Sequence, residues 1–153
     1  MTATKLVAAL ALVALSACVP IPNMRYRAPE VSGQVLRNGV PVEGAEISLA
    51  ASFADAPSRT KTDAGGRFKV GPLKQLFLTA TLIGDPLFAY DLKLKIDGVE
   101  YEGFSYGAVG NPTDPVYLIC DMDQPRKQGS LVSYCSHNLT SERDAMRHPS
   151  LPR

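Results

Sequence analysis

From Val31 onward the chain alternates apolar and polar side chains with a period of two, in short runs broken by glycine, proline, asparagine and aspartate. No stretch sustains the spacing of an amphipathic helix, so the pattern predicts an almost wholly β domain. Strands are expected at Val31 to Arg37, Ala45 to Leu49, Arg59 to Thr62, Arg67 to Val70, Leu76 to Leu82, Val116 to Cys120 and Leu131 to Cys135, with a long hairpin from Phe88 to Tyr106. Leu76, Leu78, Ala80 and Leu82 alternate with Phe77, Thr79 and Thr81, which makes that strand apolar enough on both faces to be central in a sheet. About seven to eight strands of this kind predict a β-sandwich.

The clearest turn is Asp97-Gly98, a dipeptide suited to the positive φ angles of a two-residue type I′ turn. Counting outward pairs Ile96 with Val99, Lys95 with Glu100, Leu94 with Tyr101 and Lys93 with Glu102. Apolar pairs fall on one face and opposite charges on the other. Exposed ion pairs contribute roughly tenths of a kcal/mol each, which leaves Leu94, Ile96, Val99 and Tyr101 to hold the hairpin down and makes the charged stripe a solvated face. Asp63-Ala64-Gly65-Gly66 is expected to turn a second hairpin between Arg59–Thr62 and Arg67–Val70, with Phe68 and Val70 pointing inward.

Ahead of the domain, Lys5 precedes an uninterrupted apolar run from Leu6 to Leu15, the length of a secretory signal and too short to span a bilayer. The residues that follow, Leu15-Ser16-Ala17-Cys18, resemble the lipobox of a bacterial lipoprotein. The resemblance implies cleavage before Cys18, a diacylglyceryl group on its thiol and acylation of the new amino terminus. Each buried CH₂ contributes about 0.8 kcal/mol, so several chains on one residue hold a protein to the membrane almost irreversibly. In such lipoproteins Asp after the modified Cys favours the inner membrane; Val19 stands there, and the expected address is the inner leaflet of the outer membrane, facing the periplasm. The expected organisation is a signal peptide at 1–17, a lipidated Cys and tether at 18–30 with Pro20, Pro22 and Pro29, a sandwich at 31–135 and a mobile polar tail at 136–153.

The chain carries 16 basic and 15 acidic residues, and the signal segment holds only Lys5 among them, so the mature protein is close to neutral. Nucleic acid, which calls for a concentrated positive surface, is not an expected partner. With Cys18 assigned to lipid, Cys120 and Cys135 remain as an even pair in an oxidising compartment, and a disulfide is expected. It would close a loop of roughly 15 residues and stabilise by about 3 kcal/mol on the chain-entropy model. The two histidines, His137 and His148, fall in the polar tail, which argues against both a tetrahedral metal site and a nucleophile with its base. Asp63 has the oxygen chemistry of a calcium loop but reads as turn chemistry, and Asp114 with Asp121 and Asp123 forms a second acidic cluster next to Cys120, where calcium is the minor reading. No catalytic residue, metal or cofactor is expected. Tyr101, Phe104, Tyr106 and Tyr117 form the notable aromatic group, candidates to stack on a sugar ring or anchor a partner.

Val31-Ser32-Gly33-Gln34-Val35, then Gly39-Val40-Pro41-Val42-Glu43-Gly44-Ala45-Glu46-Ile47, then Thr62-Asp63-Ala64-Gly65-Gly66-Arg67-Phe68 together resemble the carboxypeptidase regulatory-like domain, a transthyretin-like sandwich. The likeness spans residues 31–71 and departs after Gly71-Pro72-Leu73. It implies a transthyretin-like or immunoglobulin-like sandwich working as an accessory module without catalysis. Transthyretin-like folds include hydroxyisourate hydrolase, whose active site is a cluster of histidines and arginine with a C-terminal Tyr-Arg-Gly-Ser; with no histidine expected within the strands and Ser150-Leu151-Pro152-Arg153 at the end of the sequence, that activity is not expected. The expected function is protein–protein interaction in the cell envelope, with glycan or peptidoglycan binding as the alternative. A third reading is a secretion-system lipoprotein, since type VI machines use a transthyretin-like one. The anchor is the first thing to test. Cys18→Ser should abolish both the lipid mass on the N-terminal peptide and membrane fractionation of the protein; a variant that stays in the membrane would refute lipidation at this site.

Overall fold

Two turns with positive φ fold the chain back on itself, Asn38-Gly39 (51° and 71°) and Asp97-Gly98 (53° and 82°). The computed structural model describes residues 22–78, 87–128 and 131–137. Among these the elements are β1 (Pro22–Ala28), β2 (Val31–Arg37), β3 (Val40–Pro41), β4 (Glu46–Ala51), β5 (Ser58–Lys61), β6 (Arg67–Val70), β7 (Leu73–Leu78), β8 (Leu87–Ile96), β9 (Val99–Val109), β10 (Val116–Asp121), β11 (Arg126–Gln128), β12 (Leu131–Ser133) and β13 (Cys135–His137). The fold is all-β, a sandwich. One layer runs β13-β10-β2-β3 with β6 also on β2, the other β5-β4-β8-β9, and the pairs β1–β7 and β11–β12 stand beside them. β10 lies parallel to β2, in register from Val31 opposite Val116 to Leu36 opposite Asp121.

Period-two alternation supplies the core. β8 buries Phe88, Tyr90, Leu92, Leu94 and Ile96, and β4 buries Ile47 and Leu49; Val31, Val35, Phe68, Val70 and Leu118 meet them from the other layer. Burial of such side chains stabilises by roughly 1.5–3 kcal/mol each.

The β8–β9 hairpin has the register counted from its turn, Ile96 opposite Val99 through Lys93 opposite Glu102. Lys93 Nζ lies 2.9 Å from Glu100 Oε1 and 3.2 Å from Glu102 Oε1, so it bridges the diagonal neighbour as well as the direct one. Val99 departs from expectation. It is 52% exposed, because the layer ends at the turn and burial is carried by Ile96 and Leu94.

Past Glu102 the ladder shifts: Lys93 faces Glu102 and Leu92 faces Phe104, which leaves Gly103 as an extra residue, a β-bulge. Gly103 is buried, and a Cβ on it would lie 2.5 Å from Leu94 Cδ1, 2.7 Å from the Leu92 carbonyl oxygen and 3.1 Å from Cys135 Sγ. Cys135 faces Cys120 across the β13–β10 pair, their sulfurs at bonding distance (1.98 Å). The cystine therefore packs on the bulge.

Several expectations are corrected. The segment through Glu30, read as tether, is strand from Pro22: β1 pairs with β7, Ala28 is buried, and the Arg27 Nε–H donates to Gln75 Oε1 at 3.0 Å. Of its prolines, Pro22 is the first residue of the strand and Pro29 lies just past its end, where a missing N–H is tolerated, and Pro20 lies outside the described residues. At the other end Ser136 and His137 belong to β13 rather than to a polar tail. Asp63 to Gly66 do not close a hairpin within one sheet, since β5 pairs with β4 and β6 with β2; they carry the chain from one layer to the other. The expected central strand is described to Leu78 as β7, which pairs only with β1 among the described residues and leaves Leu76 57% exposed. Residues 79–82 of that expected strand lie outside the described residues, as do the signal segment with Cys18, and His148. Leu131 to Cys135 divides into β12 on β11 and β13 on β10.

Gly103→Ala should destabilise the domain by about 1–3 kcal/mol, because the methyl meets a backbone oxygen and the cystine as well as a movable leucine. Urea denaturation under oxidising conditions measures this; an unchanged midpoint would mean that the layers separate freely at the bulge.

Candidate aromatic binding cleft

The bulge decides which side chains meet. A one-residue slip moves all later residues of a strand to the other face, so Phe104, Tyr106 and Ala108 join Tyr101 on the core side of β9. Phe104 and Tyr106 there meet Phe88 and Tyr90 of β8. Ring centroids are 6.3 Å apart for Phe88 and Tyr90, 6.1 Å for Phe88 and Tyr106, 5.8 Å for Tyr90 and Tyr106, and 6.3 Å for Tyr90 and Phe104. Phe104 and Tyr106 are nearly parallel, at 8° and 6.4 Å. These separations fall in the range of favourable aromatic pairs.

The four rings line a cleft of about 490 Å³ at the open end of the hairpin. Pro29, Ala108, Pro112 and Val116 complete its apolar wall, and Asn111, Thr113, Asp114 and His137 bring polar groups to it. Tyr106 is 49% exposed, whereas Phe88 and Tyr90 are buried beneath it. Burial pushes the Tyr90 hydroxyl up to about 12, with the neighbouring Tyr106 adding to the shift. Tyr90 is thus a neutral phenol, able to donate a hydrogen bond, throughout the neutral pH range.

Of the aromatic candidates the fold unites Phe104 and Tyr106. Tyr101 packs edge-on against Tyr134 at 5.2 Å, beyond the bulge from the cleft. Tyr117 does not join the cluster, since it alternates with buried Leu118 and Cys120 and so faces away from the core. Phe88, Tyr90 and His137 are the contributors that sequence reasoning passed over. The usable signal was Gly103 inside an otherwise strong strand, where a glycine commonly marks a bulge.

The acidic candidates work in turns. Asp63 Oδ1 accepts from the N–H groups of Gly65 (2.9 Å) and Arg67 (2.8 Å). Asp121 Oδ1 accepts from the Asp123 N–H at 3.0 Å, and Asp123 accepts from the Asn38 N–H. Asp114 stands apart from both, at the cleft. Among the described residues no three His, Cys, Asp or Glu side chains gather as metal ligands would.

Because the folded Tyr90 holds its proton to about pH 12 and the unfolded phenol releases it near about 10, the unfolded state binds fewer protons between those values and stability falls as pH rises through them. Ultraviolet titration of the phenolates should show one tyrosine ionising near 12, and that step should vanish in Tyr90→Phe. A variant whose titration matches the parent would remove the assignment.

No curated protein matches the chain. A family model described as a domain of unknown function, DUF6795, matches residues 31–116, more than half of the chain. The matched span holds all four rings and the bulge; Pro29, His137 and both disulfide cysteines lie outside it. The chain belongs to the DUF6795 family.

Proposed function

We propose that the protein is a non-catalytic lipoprotein of the bacterial envelope, held through acyl chains on Cys18 in the inner leaflet of the outer membrane, and that its sandwich binds another envelope protein through the aromatic cleft. The observation that carries the reading is the cleft. Its volume of about 490 Å³ lies within the range of ligand sites. Its walls are ring faces and apolar carbon with a few polar groups at the rim, the composition in which contact energy concentrates at protein interfaces. The anchor rests on Lys5, the apolar run and Leu15-Ser16-Ala17-Cys18. β1 begins at Pro22, so the chain between the lipidated Cys18 and the fold spans at most roughly 14 Å. A leash that short keeps the domain near the membrane surface and selects partners that reach it there.

Glycan binding is the second reading. It is favoured by the near-parallel Phe104 and Tyr106 rings, which offer aromatic faces to a sugar ring, with Asn111, Thr113 and Asp114 available to its hydroxyls.

A photoreactive phenylalanine at position 106 of the full-length lipoprotein in living cells separates the two. The expected result is a discrete envelope-protein adduct that disappears with Cys18→Ser, and sacculus retention unchanged by Tyr106→Ala. No adduct, together with a loss of sacculus binding of about tenfold or more in Tyr106→Ala, would hand the cleft to glycan.

A further inference from the structure

We infer that the outer edge of β9 from Ser105 to Val109 takes up an extended segment of a partner protein as an added β-strand, whose alternate side chains enter the aromatic cleft. The inference rests on the reading that the cleft engages protein, and it names the form of that partner.

The ladder itself shows which backbone groups are open. In a two-residue hairpin the pair flanking the turn, Ile96 and Val99, exchanges both hydrogen bonds, and bonded and non-bonded pairs alternate from there. Glu102 falls in a non-bonded pair, and its carbonyl indeed turns outward to accept from the Tyr134 N–H at 3.1 Å. Beyond the bulge the phase is fixed from the other side. The Ala89 carbonyl accepts from the Ser52 N–H at 2.8 Å, on the β4 side, so Ala89 turns away from Gly107 opposite it. Gly107 therefore directs its own N–H and C=O away from β8. Ser105 and Val109, two residues to either side, share that phase and do the same.

Among the described residues no strand pairs with this edge, for the layer ends at β9. Ser105, Gly107 and Val109 are all exposed. The two halves of β9 differ in how the edge is guarded. The first carries Glu100 and Glu102 and is covered at Glu102 and Gly103 by Tyr134 and Ser133. The second, Phe104 to Gly110, carries neither charge nor proline, the usual devices that keep a sheet edge from pairing.

These features select one class of occupant. A sugar can stack on the rings, but only a polypeptide offers N–H and C=O groups at the strand repeat to match Ser105, Gly107 and Val109. In strand addition the main chain gives affinity and pockets for alternate side chains give specificity. The cleft is such a pocket. On the opposite face the exposed pair Leu87 and Val109 meets the intervening side chains, so the segment should be apolar at its inward positions and tolerate apolar groups outward.

Gly107→Pro tests the edge without touching the cleft. It deletes an outward N–H that β8 does not use, and its Cβ would lie 3.4 Å from the Phe88 carbonyl oxygen, an ordinary contact. The probe is a display library of random peptides selected on the full-length protein. Enriched peptides should alternate apolar and polar residues and protect the Ser105, Gly107 and Val109 amides from hydrogen exchange. They should bind Gly107→Pro about tenfold or more weakly. Ser105→Pro is the second variant, with unfolding midpoints confirming that each folds. Peptides that need Tyr106 yet bind both proline variants as tightly as the parent overturn strand addition and leave the protein-binding cleft standing. Amides already protected without peptide, by a second copy or by residues 138–153, overturn it as well. Failure to enrich any peptide removes both this inference and the reading beneath it.

Discussion

At Gly103 the β8–β9 ladder takes in one extra residue, and the aromatic end of the molecule depends on that slip. Without it, Phe104 and Tyr106 would stand on the face that carries Glu100 and Glu102, and Tyr90 and Phe88 of β8 would face only Ser105 and Gly107. With it, a strand that is charged near its turn becomes aromatic at its far end on a single continuous core face. The same residue lets the second layer approach. A Cβ on Gly103 would collide with Leu94 Cδ1 and the Leu92 carbonyl oxygen and press on the Cys135 sulfur at 3.1 Å, so the Cys120–Cys135 cystine packs closely against the bulge.

That contact also ties the ends of the domain together. β2 opens the sandwich and β10 closes it as a parallel pair, and β13 is fixed to β10 both by its ladder and by sulfur. Parallel neighbours need a long crossover between them, and here the whole four-stranded layer lies within it. The cleft inherits this arrangement. Its rings come from one hairpin, while Pro29 and His137 reach it from opposite ends of the described chain. The lining thus joins residues of the family's matched span, the four rings among them, to Pro29 and His137 outside it.

Much of this was legible in the sequence wherever one local rule decided the outcome. Period-two alternation gave the fold class, and Asp97-Gly98 gave the pairing down to Lys93 with Glu102. Local rules stop deciding the outcome where two of them meet. Thr62 to Phe68 has the chemistry of a hairpin turn, Asp63 accepting from Gly65 and Arg67, and that chemistry is identical whether the flanking strands share a sheet or part into two. Only the long-range pairing of β6 with β2 distinguishes them. The prolines around β1 suggested a linker, although Pro22 and Pro29 bracket a strand without interrupting it. Half of the aromatic cluster was found, and the other half was hidden by counting straight through Gly103. The chemistry of the turn carries register only as far as the first bulge.

The same slip sets the pattern of any strand that docks beside β9. Side chains on one face of a strand recur every two residues, about 6.6–6.8 Å apart, close to the 6.4 Å between the Phe104 and Tyr106 centroids. A segment paired through Ser105 and Gly107 would thus bring its inward side chains level with successive rings. Each added main-chain bond contributes about 0.5–1.5 kcal/mol net, so a few of them alone give weak, sequence-blind attachment. Discrimination must come from the cleft, through ring contacts that a mismatched side chain forfeits. Edge and cleft are therefore complementary: the first supplies direction and register, the second a reason to prefer one sequence over another.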